Sequence, residues 1–418
     1  MTIDLNSLKR AVCEDAAIRR LRRLQPIGGP GDKIFPPTYP PARREVPRGA
    51  PPRHVFERRR VDREEIWCVL IDSVQSQANR MEEALLAAAE EGGSDAPIPL
   101  PYITVDFRGK GLEPLERITS LDAPHRVYDA ILRDSFLQST PFMQSEEGQR
   151  LAAAKPADAT ALLELSPAAL LFGAWHSQGE GGGLGAKFSR ALVSEIMGID
   201  TPVEVGPTDP RTGEVEARTA GRRTGSRIDP LGILRSVKVF KGASVSDWNT
   251  DKNAAGKGAK LVYPSEINHS NIAPKVEPLG VTCDHAEHRA TITLAGLRRL
   301  RFGGGERDAT GRALIAALGL VALAEQDARG YALRSRCDLV CDGAGPLALV
   351  RADGSSEEFE LDRTAVRALY RDAHGEAEAA GFRFRSLTLR PQDKLVEIVR
   401  SSRQLALGGQ SSEDEDGE

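Results

Sequence analysis

Aromatic residues are scarce in this 418-residue chain, at 5%. That deficit excludes the ring-rich strand motif on which sequence-reading RNA-recognition domains stack bases, so any nucleic-acid contact must be led by the backbone. Cysteine is limited to Cys13, Cys68, Cys283, Cys337 and Cys341, an odd and scattered set that does not read as a disulfide framework. Long apolar runs are missing too. The first twenty residues are charged throughout and lack the apolar stretch of a signal peptide. The most apolar segment, Ala159 to Trp175, is broken by Glu164 and Pro167 and is too short for a membrane span. A reducing, cytoplasmic location with no membrane partner is the expectation. A basic surplus, the usual mark of a nucleic-acid-binding domain, is also lacking: 56 Lys and Arg against 60 Asp and Glu give a net charge of −4.

The distribution of charge changes that last point. Residues 1–60 hold 14 Lys and Arg against six acids, a local excess of eight, and residues 211–241 hold eight against three, an excess of five. Ser412–Glu418 reads SEDEDGE and carries five acids, a composition that favours disorder. The expected organisation is a basic N-terminal helix and Pro-rich arm over 1–60, a main body over 61–400 with an insertion at about 200–280, and an acidic disordered tail over 401–418.

Hydrophobic spacing predicts a helix over residues 1–25. Nine prolines between Pro26 and Arg53 then impose an extended segment. Ile66–Ser73 reads as a buried strand and the next stretch as an amphipathic helix capped by Asp72. Further helices are expected over Ala123–Leu137, Glu146–Ala154, Thr310–Ala328 and Asp362–Ala380. Strands are expected at Tyr102–Phe107, Ala290–Phe302 and Leu395–Val399. The class is α+β, a sheet with helices packed on one face.

The glycine-rich run Gly179–Gly185, followed by a helix beginning near Ala186, suggests an anion site. It is not a Walker A motif, because Ala186 stands where glycine is needed and Ser189 falls one residue late. A nucleic-acid phosphate suits it better, with Lys187 and Arg190 as partners. Cys283, His285 and His288 carry metal-ligand chemistry at close spacing, but no fourth ligand stands nearby, and no metal or other cofactor is assigned. Cys337 and Cys341, four apart on a strand-like run, read as buried structural cysteines. His176 has no adjacent carboxylate and reads as a strand-end histidine. No paired carboxylates or acid/base set of convincing spacing appears.

Three stretches, VLIDSVQSQANRMEEALL (Val69–Leu86), LLFGAWHSQGEGGGLGAKFSR (Leu170–Arg190) and RLQPIGGPGDKIFPPTYP (Arg23–Pro40), resemble the backbone subunit of type I-G (formerly I-U) CRISPR effector complexes, of the RAMP superfamily. The resemblance implies a ferredoxin-like (RRM-like) palm with an inserted thumb and loop excursions. It also implies a non-catalytic role: copies stack head-to-tail along a CRISPR RNA, with other effector subunits, and present it for pairing with target DNA. Open helical stacking is what contacts between non-identical faces build. Local basic density beside glycine-rich or inserted segments nominates Asn79, Arg80, Gln178, Lys187, Arg190, Arg222, Arg223, Arg227, Lys238 and Lys241 as RNA contacts. The competing class is a RAMP-type or metal-dependent endoribonuclease acting on CRISPR RNA.

Overall fold

A computed structural model describes residues 3–40, 53–61, 63–90, 96–176, 186–208, 215–242, 246–256, 258–269 and 272–407. The chain begins with helix α1, Leu5–Glu14, whose Asp4 side chain accepts from the Ser7 N–H at 2.8 Å. The helical expectation for residues 1–25 fails beyond Asp15. Ala17–Pro26 is strand β1, and its arginines follow a period of two. Ile18, Arg20 and Leu24 are buried, while Arg19, Leu21 and Arg23 are exposed, as alternation across a sheet requires.

Strands β2 (Phe56–Val61) and β3 (Glu64–Asp72) form a hairpin, followed by helix α2, Val74–Glu90. The cap of α2 is Ser73, whose hydroxyl accepts from the Ser76 N–H; the Asp72 carboxylate instead serves side chains. The segment expected to be a helix after Ala186 is extended: Lys187–Phe188 pairs with Ala174–Trp175, and Leu192–Ile199 is a central strand. Gly198 belongs in that strand because a Cβ there would sit 2.7 Å from Val69 Cγ1.

Among the described residues, nine strands build the main sheet. Its central path runs from the hairpin of Tyr331–Arg334 and Cys337–Cys341, through β1, His285–Thr293 and Leu192–Ile199, to β3 and β2. Every pairing is antiparallel; Ile18 faces Ile292 and Ile196 faces His288. Leu347–Val350, paired with Ser356–Phe359, also runs against the first half of β1. A smaller sheet contains Ile103–Asp106, Arg117–Thr119, Ser135–Leu137, Thr140–Pro141 and Leu387–Pro391.

One face of the main sheet carries the helices. The helix Gly305–Arg329 contacts α1, α2 and the helix Arg363–Ala379, and Val12, Leu85, Leu318 and Tyr370 share a buried cluster with Ile18 and Ile292. Residues 313–324 are buried on all sides of the long helix, which is how a central core helix reads. Toward one end the same sheet face is covered by Ile34 of the Pro-rich arm, together with Val281 and Leu333. The described residues between 203 and 277 include small two- and three-stranded sheets outside the main sheet.

Two more expectations are corrected. Ala123–Leu137 is not one helix: Asp129 accepts from the Ile131 and His125 N–H groups, splitting it into a 3-10 turn, the short helix Ala130–Arg133 and the strand Ser135–Leu137. The proposed last strand, Leu395–Val399, lies in the helix Asp393–Leu407. There Val396 is buried and Ile398 is 65% exposed, a helical rather than alternating pattern. The helix runs through residues 401–407 of the region assigned to the tail; residues 408–418 lie outside the described set.

Candidate nucleic-acid interface

Alternation along the strands defines the second face of the main sheet. In register across it, Arg19 stands opposite Thr291 and Thr291 opposite Val193. The next row is Leu21, Arg289 and Glu195, and the third is Arg23, Glu287 and Met197. Leu21, Val193 and Val340 are 52%, 41% and 44% exposed, so among the described residues no layer covers the first two rows, whereas Met197 and Glu287 of the third row are buried. Its cations differ in how they are engaged. Arg289 donates to Glu287 at 2.8 Å and Arg59 to Glu195 at 2.5 Å. Arg23, half exposed, has only Asp284 and Asp342 at 3.8 Å. Arg19 has no ion pair among the described residues. Among the described residues no aromatic ring stands in these rows, so they offer cations and aliphatic surface to a ligand rather than a stacking platform.

The opposite surfaces of β1 and His285–Thr293 hold a buried polar chain. Tyr331 O–H and Arg20 both donate to Asp327, at 2.6 and 2.5 Å. Arg20 also approaches His288 Nδ1 at 3.2 Å, which makes that nitrogen an acceptor and places the imidazole proton on Nε2. Nε2–H then donates to Ser194 Oγ at 2.6 Å, and Ser194 donates to Gln77 Oε1 at 3.1 Å. Gln77 in turn donates to Asp72 at 2.6 Å. His288 is fully buried, and burial, with Arg20 and Arg22 nearby, holds its pKa well below 6.5. Ser194 is 2% exposed, so this serine–histidine pair has no open path to a substrate.

The nominated residues fall into separate places. Asn79 is exposed on α2. Arg80 is occupied internally: it donates to Asp72 at 3.0 Å and to the Leu333 carbonyl at 2.5 Å. Gln178 lies outside the described residues. Lys187 is exposed, and the Arg190 stem lies across Gly173, where a Cβ would come within 2.9 Å of its Cγ. Burial and the neighbouring Arg126 lower the Arg190 pKa. Arg222 pairs with Glu204 at 2.7 Å, and Arg223 pairs with Glu277. Arg223 also lines a cavity of ≈ 490 Å³ with His54, Phe56 and Leu279. Arg227 sits opposite Ile272 in that two-stranded sheet. Lys238 and Lys241 belong to a different region of the insertion, with Lys241 on the strand Val239–Lys241. The structure therefore leaves Lys187 exposed and Arg190 half-buried beside Glu82 and Arg126, and it does not unite the insertion's cations in one sheet.

Sequence reasoning missed Arg19, Arg23 and Arg289 as a surface, because a helical reading of residues 1–25 lacks the strand register that sets the first two beside the third. It also missed Arg126, which grips Glu82 at 2.6 and 2.9 Å and the Gly173 carbonyl at 3.0 Å. Burial pushes the Glu82 carboxyl up to about 7, against the opposing pull of Arg126. No local signal marks that pair, whose members are 44 residues apart. The C-x-H-x2-H cluster divides between faces: His285 is held by Asp284 and Glu287, whereas His288 points into the buried chain. No group of three or more metal-ligand side chains occurs among the described residues. All five cysteines are free, with burial pushing the Cys283 thiol up to about 12 and that of Cys337 up to about 11. No helix among the described residues is long and apolar enough to cross a membrane.

Residues 18–203 match the model of a family of CRISPR-associated proteins. The family is the one described as CRISPR-associated protein GSU0053. All three sequence stretches that carry the resemblance lie inside the matched segment, which bears out that recognition. No curated protein matches the chain. Among solved structures, the crystal structure of Thermofilum pendens Csc2 aligns over 95% of this chain and 92% of its own, at 10% identity and a TM-score of 0.29, a score too low to equate the two folds.

Proposed function

We propose that this chain is a non-catalytic, guide-RNA-binding backbone subunit of a CRISPR interference complex. In this reading it polymerises head-to-tail along the CRISPR RNA, beside other effector subunits, and presents the RNA for pairing with target DNA. The observation that carries the reading is the family match over residues 18–203. The strand order supports a ferredoxin-like palm. Taken as strands one to four, β1, Leu192–Ile199, His285–Thr293 and the Tyr331–Cys341 hairpin lie in the spatial order four, one, three, two. Helix α2 lies in the chain between the first two, and Gly305–Arg329 follows the third. Residues 200–280 then take the place of the thumb insertion.

Guide RNA lies across the open face in this proposal, with Arg19 and Arg23 on its phosphates and Leu21 against its sugars, beside Arg289, which Glu287 holds. Such a surface reads shape and charge and leaves sequence to base pairing. Lys238 and Lys241, neither ion-paired among the described residues, extend it from the insertion. The test is guide-RNA binding by Arg19→Glu/Arg23→Glu across a salt series. Affinity is expected to fall tenfold or more, with a salt slope shallower by about two. Unchanged affinity and slope would remove RNA from this face. A nuclease reading is checked on the same protein: cleavage of repeat RNA that is lost in His176→Ala would overturn the non-catalytic assignment.

A further inference from the structure

The short ladder at the end of the segment Leu170–Arg190 is built in a way that the charge pattern alone does not explain. Trp175 and Lys187 are a directly opposed cross-strand pair, so they share one side of the ladder. Both point outward: Trp175 is 62% exposed, and Lys187 is exposed. Their neighbours Ala174 and Phe188 face the core, with Phe188 at 3% exposure. In a chain with only three tryptophans, this one presents its indole on the same side of the ladder as an ammonium.

The base of the ladder is rigid. Gly173 adopts φ +84°, its carbonyl accepts from Arg126, and the Arg190 stem crosses it. Beside the ladder, His176 stacks on Tyr128 with ring centroids 4.7 Å apart and planes 13° from parallel. That contact occupies the His176 ring and leaves Trp175 as the free one. Lys187 and Arg190 form no hydrogen bond or ion pair among the described residues, although Arg190 is half-buried beside Arg126 and Glu82. A flat apolar ring with the Lys187 ammonium on the same side of the ladder matches one unit of a single strand: a base against the indole and its phosphate on the cation.

We infer that Trp175 and Lys187 form a one-nucleotide subsite for single-stranded RNA, in which Trp175 stacks a base and the Lys187 ammonium holds its phosphate. This rests on the RNA-binding reading above but names a different surface from the open sheet face. The test uses full-length protein carrying Trp67→Phe and Trp248→Phe, so that Trp175 is the sole indole, titrated with an unstructured uridine octamer. Saturable quenching of Trp175 fluorescence is expected. Trp175→Ala is expected to weaken octamer binding about tenfold, and Lys187→Gln to make the salt slope shallower by about one. Binding without quenching, and unchanged in Trp175→Ala, would overturn the subsite and leave RNA binding elsewhere intact. If the octamer fails to bind the wild-type chain even at low salt, while Arg19→Glu/Arg23→Glu leaves guide-RNA binding unaffected, the subsite and the open-face reading both fall.

Discussion

Replacing His288 with glutamine isolates the energetic consequence of burying an imidazole in its neutral form. Ser194, Arg20 and Tyr331 contact the ring, Arg22 adds charge nearby, and Asp327 anchors both Arg20 and Tyr331. None of the positive groups favours a second proton, and Arg20 already donates toward Nδ1. In the unfolded chain His288 takes up a proton below 6.5, whereas the folded chain resists it. The unfolded state therefore binds more protons in this window, and stability must fall as pH falls. Full stability is present above 6.5 and is lost progressively below it. Between pH 7.5 and 5.5 this one group removes about 1.4 kcal/mol, the equivalent of one pKa unit. The glutamine variant keeps a donor toward Ser194 and loses the acceptor for Arg20, so it starts less stable by about 1–3 kcal/mol. Its own pH dependence, however, lacks the His288 contribution. Urea melts of both proteins at the two pH values give the comparison, and contributions from other titrating groups cancel in the difference. Parallel losses in the two proteins would refute the neutral buried assignment, as would a wild type that gains stability on acidification relative to the variant.

Arg80→Ala is expected to behave as a stability mutation, costing about 1–3 kcal/mol in chemical denaturation because it strips one partner from the fully buried Asp72; its guide-RNA affinity should change less than twofold. Gly148→Ala would place a Cβ 1.9 Å from the Phe142 carbonyl oxygen, and a thermal melt should register a loss of about 3 kcal/mol, the upper end of ordinary overpacking. Glu204→Gln frees Arg222 from an exposed pair and should alter stability by less than about 1 kcal/mol. The same variant should tighten RNA binding if Arg222 contacts phosphate.

Much of the helical layer was legible in sequence because its signals are local. Asp362 caps Arg363–Ala379 by accepting from the Ala365 N–H, and Val366, Leu369, Tyr370 and Ala373 line one buried face. The strand at Ile66–Ser73 was legible for the same reason, an uninterrupted apolar run. The failures come from segments whose conformation depends on distant partners. In β1 the arginines spaced at three and four residues imitate a helix, and only Asp327, about 300 residues away, explains why Arg20 is buried. Leu192–Ile199 carries a glycine and a serine that make sense only against Val69, Cys283 and His288. The candidate interface suffered most. Counting local basic density selected Arg80, Arg222 and Arg223, which the fold commits to carboxylates. It passed over Arg19, Arg23 and Arg289, which the sheet register gathers on one face.

The central place of β1 has a temporal meaning as well. Residues 17–26 emerge early in synthesis, yet their two hydrogen-bonding neighbours are residues 286–293 on one side and 339–350 on the other. Until those arrive, a strand carrying four arginines has neither edge satisfied, and Arg20 has no Asp327. The sheet is thus closed by the last third of the chain, and its formation is limited by contacts of very large sequence separation. A chain truncated at residue 330 leaves one edge of β1 open along its whole length. Such a product should be captured by chaperones or aggregate rather than enter an RNA complex. The fold thereby withholds the open sheet face from incomplete copies.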